Sequence, residues 1–434
     1  MDYAADLHIH SPYSRATSAQ STLAGLAAWA RIKGIQVVGS GDFTHPVWFS
    51  RLKEELEPAE LGLFRLKDER ALPSPLPGIS PALSTVRFML SAEISSIYKR
   101  HGKVRKIHNL LYVPDIESAE RINGRLAGIG NIVSDGRPIL GLDSRDLLEI
   151  LLELAPEGFL VPAHIWTPWF SLFGSRSGFD RIEECFGDLT SHVFALETGL
   201  SSDPDMNRTV SALDRFALIS NSDCHSPSKL GREVNLFSTG LDFYSLRDAI
   251  KDNQLDTFRG TVEFFPEEGK YHFDGHRLCN VCLSPHETRG LAGMRCPVCA
   301  KPLTIGVHHR VTDLSDRTAP AHKPNAPQVF SLIPLPELLG EILGVGPSSK
   351  EVLRQYAQVI TRFGSEFDLL LRTPLDEIIR AAPLLGEAIK RVRTGSVIRR
   401  PGYDGQFGVI RVFEEGECPS SGRGKTTRLQ LLQE

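Results

Sequence analysis

No run of apolar residues in the 434-residue chain approaches the roughly 20 needed to cross a bilayer, so no transmembrane helix and no membrane partner are expected. The opening MDYAADLHIH lacks the basic-then-apolar pattern of a secretory signal, which makes the cytoplasm the expected compartment. Cysteine is scarce. Of seven, four form two CxxC pairs and the other three are scattered, which excludes a disulfide framework and suits a reducing compartment. Net charge is only −4, which excludes a generic polycation. The charge is uneven, however: residues 271–434 are net basic and residues 1–270 net acidic, the second fitting clustered metal ligands and the first a polyanion partner. No GxSxG nucleophile elbow occurs. GRGKTT at 422–427 has Pro419 where a phosphate loop needs its first glycine, and no strand precedes it, so an ATPase is excluded. There is no internal repeat.

What is present begins with alternation. Strand-length apolar runs (ADLHIH, IQVVGSGD, RFMLSAE, IHNLLYVP, GFLVPAH, HVFALET, FALISNSD) are interleaved with helix-like segments such as STLAGLAAWARIKG, which starts at a cap and stops at Gly34. The pattern predicts a parallel α/β fold over residues 1–265, with a Pro- and charge-rich insertion at about 51–85. A cysteine-bearing module covers 271–310. Residues 311–330 read as a polar, Pro-rich linker. Residues 331–413 read as helices followed by a hairpin at Asp404-Gly405, with a capping box at Ser348–Glu351 and a cap at Thr373. The polar tail 418–434 is expected to be disordered.

The chemistry collects at strand ends. The first run ends in His8 and His10, the second in Asp42 with His45 close by, and the third in Glu93. The fourth begins at His108, the fifth ends in His164, the sixth carries Glu197, and the seventh ends in Asp223-x-His225. A strand period of two aims His8 and His10 the same way, and likewise Asp223 and His225. In a parallel barrel these ends converge on one face. Imidazoles and carboxylates there suit a polynuclear centre of Zn, Mn, Fe or Mg with positions open to water. Such a centre activates water and clamps a phosphodiester. Asp6 is expected to support the site rather than ligate.

Cys279-x2-Cys282-x13-Cys296-x2-Cys299 predicts one structural zinc on two knuckles. Downstream, EILGVGPSSKEVLRQY resembles a helix–hairpin–helix element with Gly344 and Gly346 in its hairpin, where backbone amides can hold a DNA phosphate. Arg399 and Arg400 add basic charge. HIWTPWFSLFGSRSGFD places Trp166, Trp169, Phe170, Ser175 and Arg176 just after a ligand candidate; its aromatics read either as ordinary core or as walls for a base flipped from the duplex.

The order DLHIHSPYS, VVGSGD, SAE, VPAH and SDCH resembles the polymerase and histidinol phosphatase (PHP) superfamily. That resemblance implies a distorted (β/α)7 barrel. It also implies a metal held by His8, His10, Glu93 and Asp223, a second by Glu93, His108 and His164 with Glu93 bridging, and His225 at a third. Arg15 stands where that superfamily usually has an aspartate, and Phe43 where it has a histidine; Asp42 remains and His45 is the stand-in. The expected catalytic set is His8, His10, Glu93, Asp223 and His225, with Arg15 on the substrate phosphate. With the ribbon and RRPGYDGQFG, the chain to about residue 413 resembles the endonuclease Q family. This implies a monomeric, nucleoid-associated DNA repair endonuclease acting on double- and single-stranded DNA. It would recognise uracil, hypoxanthine, xanthine and abasic sites and cut 5′ of the lesion. The closing RLQLLQE is only a faint match to a sliding-clamp motif. Two other readings stand beside it: a PHP phosphatase of small phosphoesters, and a non-catalytic DNA-binding protein with a decayed barrel.

Overall fold

The computed structural model describes residues 2–69, 72–76, 85–418 and 431–432. Its frame is an 11-stranded mixed sheet. Strand Asp2–Asp6 pairs in parallel with Val37–Gly39, which pairs in parallel with the long strand Arg87–Arg100. Between the first two runs helix Leu23–Lys33, capped by Thr22 and stopped by Gly34 in the left-handed region, supplies the crossover.

The expectation of a uniformly parallel sheet fails at the fourth strand. Arg87–Arg100 turns through His101 and Gly102, both with positive φ, straight into Lys103–Val113 as an antiparallel hairpin. A two-residue turn of that hand closes a hairpin, and no crossover helix fits. Lys103–Val113 then pairs antiparallel with Phe159–Pro162. Ala195–Glu197 and Ala217–Ile219 form a separate parallel pair, tied back to the first strand's end by an Ile9–Cys224 bridge. One consequence is that His108 lies mid-strand opposite Ser95 rather than at a strand start.

Two stretches expected to stand apart join the sheet. Within 51–85, Leu56–Pro58 and Phe64–Leu66 form a hairpin on its edge, and Gln328–Ser331, at the end of the supposed linker, pairs with Phe258–Glu263. The linker's other end belongs to helix Val307–Leu314.

In the C-terminal part, helix Leu335–Leu343 ends at Gly344 in the left-handed region and Lys350–Phe363 starts after Ser349, whose hydroxyl accepts the Val352 N–H. The cap is therefore one residue later than expected, without the box to Glu351. Helix Leu375–Ala381 likewise starts after Pro374, not Thr373. Ile398–Arg400 pairs with Val409–Arg411, and Asp404 and Gly405 turn the tip. That tip docks on the cysteine module, where Asp404 accepts the Arg277 N–H and the Thr304 hydroxyl. Lys33, from the first helix, meets Glu366 in a buried ion pair at 3.4 Å. Of the expected disordered tail, Cys418 and Leu431 are buried; 419–430 and 433–434, with most of the clamp-like RLQLLQE, lie outside the described residues. No described helix is long and apolar enough to cross a membrane.

Candidate metal centre

The fold brings two donor groups together. One atom each from His8, His10, Glu93 and Asp223 lie within 4.8 Å of one another, and so do atoms from Glu93, His108 and His164. Glu93 belongs to both. Its Oε2 faces His10 Nε2 at 3.2 Å and His8 Nε2 at 3.6 Å, while its Oε1 faces His108 Nδ1 at 2.7 Å and His164 Nε2 at 3.2 Å.

Hydrogen bonds fix which nitrogen points inward. Glu197 sits at 3.0 and 3.1 Å from His8 Nδ1, so that nitrogen donates and Nε2 keeps its lone pair toward the centre. His8 Nε2 is buried and has no hydrogen-bond partner, which is costly unless a cation takes that lone pair. Asp42 does the same for His10, with Oδ1 at 3.1 Å from Nδ1. His108 Nδ1 and His164 Nε2 lie 3.2 Å apart against one carboxylate oxygen. This convergence of imidazole lone pairs and carboxylates fits divalent metal ions.

Electrostatically the site draws positive charge, whether proton or metal ion. Burial pushes the His8 and His10 imidazoles down, but the carboxylates around them, Glu197 and Asp42 foremost, reverse this and hold both well above the usual histidine range. Burial alone would raise Glu93, yet His108, Arg137 and His8 bring it well below the usual glutamate range. Burial takes His108 down to about 4. The backbone is strained where it presents these groups: Asp42, His164 and Asp223 are non-glycine residues at φ 48°, 30° and 45°. Asp6, as expected, supports: its carboxylate accepts the N–H groups of Ser222 and Gly231 and so anchors the loop carrying Asp223.

Other expected residues fall elsewhere. Asp42 is used up by His10, Ser11 and Ser14. His45 points away, with Nε2 2.9 Å from the Val133 carbonyl and its ring stacked on Tyr13. His225 stacks on His10 at 4.5 Å and bonds Thr17 at the mouth, outside both donor groups. Arg15 is 85% exposed and pairs with Asp135.

The aromatic stretch divides. Trp166 is core, 1% exposed, with its indole N–H on Asn207. Phe170 packs on His108 beside the second donor group. Trp169 is 39% exposed, edge-on to Tyr271. Ser175 donates to the Ile305 carbonyl, and Arg176 is exposed. Gly344 and Gly346 lie in the exposed hairpin. Arg399 pairs with Glu267, while Arg400 is exposed.

The cysteine quartet is not what gathers. His276, Cys279, Cys296 and Cys299 come together, with Cys299 Sγ 3.4 Å from His276 Nδ1. Cys282 sits on strand Val281–Leu283 opposite Gly275, with Sγ toward the Pro401 carbonyl. His276-x2-Cys279 has the knuckle spacing that Cys279-x2-Cys282 also has, and the hairpin selects the first.

Residues 334–396 match the family model of the MJ0043 C-terminal domain. The whole fold is similar to the crystal structure of the lesion-specific endonuclease PfuEndoQ from Pyrococcus furiosus, with a TM-score of 0.82, 31% identity and 96% of each chain covered. The chain belongs to the endonuclease Q family. A second family structure, endonuclease Q with a 27-mer duplex substrate bearing an abasic lesion at the active site, is similar with a TM-score of 0.81 and 31% identity, over 96% of this chain and 98% of that one. The Methanocaldococcus jannaschii protein MJ0043 is 32% identical over 253 residues, which cover 56% of this chain but only 31% of that relative's length. In this endonuclease Q family member, Arg137 is the site residue that strand-end reasoning misses. It follows the turn Asp135-Gly136, at no strand end, yet gives an N–H to Glu93 Oε2 at 3.0 Å.

Proposed function

We propose that this protein is a metal-dependent DNA repair endonuclease that hydrolyses the phosphodiester 5′ of a deaminated base (uracil, hypoxanthine or xanthine) or an abasic site. The observation that carries the reading is the pair of donor groups sharing Glu93, in a chain similar along 96% of its length to endonuclease Q. Ions there, two in number, would supply Lewis-acid and water-activating chemistry. Asp42 is taken up by His10, Ser11 and Ser14, His45 belongs to neither donor group, and His225 instead lines the mouth with Thr17. Zinc, manganese, iron and magnesium are the candidate metals, with a structural zinc on the His276 set.

The protein's own groups do the positioning. Glu197 and Asp42 hold His8 and His10 in one tautomer. Phe170 covers the flank of His108, and with Trp169, Ser175 and Arg176 it borders the path of a flipped base. The exposed hairpin Gly344–Gly346 and Arg400 lie along the basic C-terminal part and engage backbone phosphate without reading sequence. On this reading residues 1–265 are a PHP-type barrel, 271–310 a zinc module and 331–413 a DNA-binding domain of a monomer. Incubation of labelled uracil, inosine, abasic and undamaged duplexes with Mg, Mn or Zn tests it. Nicking confined to the lesion duplexes is expected, and their survival would refute the reading.

A further inference from the structure

The donor groups are closed on most sides. Glu93, His8 and His10 are almost wholly buried, whereas the side chains of Asp223, His225 and Arg137 are 29%, 33% and 27% exposed. These three side chains line the most accessible edge of the donor groups. Two of them offer an anion little: Asp223 is a carboxylate, and His225 is engaged by the Thr17 hydroxyl and by the face of His10. Arg137 is, among the described residues, the one Lys or Arg side chain paired with a member of either donor group.

Its placement is built, not incidental. The turn that carries it is wedged into the site. A Cβ on Gly136 would fall 2.4 Å from Asp42 Oδ2 and from Ser14 Oγ, so only glycine lets the turn come this close. Gly136 N–H bonds the Tyr13 carbonyl, and Asp135 Oδ1 accepts the N–H of Arg137. With its backbone pinned, the guanidinium gives one N–H to Glu93 Oε2 and, among the described residues, no other protein hydrogen bond. A guanidinium has five N–H donors in a planar fork, so donors remain for a ligand on a side chain 27% exposed.

We propose that Arg137 is a catalytic residue that binds a non-bridging oxygen of the scissile phosphate and stabilises the charge gathering there; this rests on the endonuclease reading above. In that reaction the oxygen of water bonds to phosphorus and the P–O3′ bond breaks. The proton lost by water is balanced by one gained on O3′, leaving 3′-hydroxyl and 5′-phosphate. Arg137 transfers no proton. It shares Glu93 with both donor groups, so it would add a positive contact on the phosphate beside the ions those groups would hold.

The bland alternative is that Arg137 merely props Glu93. Single-turnover cleavage of a lesion duplex, metal content by plasma mass spectrometry and DNA affinity by anisotropy separate the two for wild type, Arg137→Met and Arg137→Lys. A second substrate carries a methylphosphonate at the scissile link, which replaces a charged non-bridging oxygen by methyl. Arg137→Met is expected to slow cleavage of the natural duplex about 10²–10³-fold with metal content unchanged. On the methylphosphonate isomer whose methyl replaces the oxygen that Arg137 contacts, wild type and variant should differ by less than about 3-fold, because the contact is already gone. Arg137→Lys, which keeps a cation beside Glu93, carries the same test if the Met variant does not fold. Wild-type rates in both variants, metal loss matching the activity loss, or equal sensitivity on both substrates would overturn the proposal. If wild-type protein cuts no lesion duplex, the function reading falls and this inference with it.

Discussion

Glu197 grips His8 Nδ1 with both carboxylate oxygens, at 3.0 and 3.1 Å, and also accepts the backbone N–H of His164 and the amide of Asn221. One carboxylate thus sets the tautomer of a ligand in the first donor group and the position of a ligand in the second.

Glu197→Gln should therefore weaken both halves of the centre without removing a ligand. The expected loss is about 10–100-fold in metal affinity, with cleavage falling alongside. Titration of the metal-stripped protein followed by calorimetry checks it. Unchanged affinity would mean that the His8 tautomer is set elsewhere.

His276→Ala and Cys279→Ser should each cost the zinc of the small module, while Cys282→Ser should keep it. Zinc content of the three purified variants, measured after mild chelation, decides. Loss of zinc in Cys279→Ser and Cys282→Ser with retention in His276→Ala would restore the four-cysteine arrangement.

That contrast shows where spacing is legible and where it is not. The CxxC register is visible in sequence, but so is His276-x2-Cys279, and only the pairing of Asp274–His276 with Val281–Leu283 chooses between them. His8 and His10 are readable as a donor pair because a period of two aims alternate residues together, whereas the same period does not bring His225 into a donor group with Asp223. Trp166 was misplaced because an aromatic next to a ligand looks the same whether it faces the core or a cleft. Arg137 was invisible because a short turn, and not a strand, delivers it. The Arg87–Val113 hairpin hid behind two long apolar runs, although His101-Gly102 between them was a turn signal.

Ser220 lies 2.7 Å from Glu233 and 3.0 Å from Glu263, both wholly buried. One hydroxyl has one proton to donate, so at least one of these carboxyls holds its own. Burial pushes Glu263 up to about 8, from about 4.5 in an ordinary glutamate, and Glu233 rises well above that ordinary value too. Between those two values the folded protein keeps a proton that the unfolded chain has lost. Stability therefore falls as pH rises through this window. Glu263→Gln should melt about 5 °C higher than wild type at pH 8, with the gap closing near pH 5. Paired thermal melts across that range measure it, and parallel pH profiles would contradict the assignment.

Lys33→Met should cost about 3–5 kcal/mol, because it leaves Glu366 charged and buried beside Tyr356 and the Leu335 N–H. Denaturant unfolding gives the figure. A loss below about 1 kcal/mol would mean that the pair behaves like a surface salt bridge.

The central claim, a metal-dependent lesion endonuclease built on Glu93 and its two donor groups, is tested most directly by one assay. A 5′-labelled duplex with a single uracil or abasic site is incubated with metal-loaded wild type and with Asp223→Ala, while anisotropy follows DNA binding. The account predicts one nick 5′ of the lesion by wild type, none in undamaged duplex, and none by Asp223→Ala at near wild-type DNA affinity. Nicking by Asp223→Ala, or equal cutting of damaged and undamaged duplexes, would contradict it.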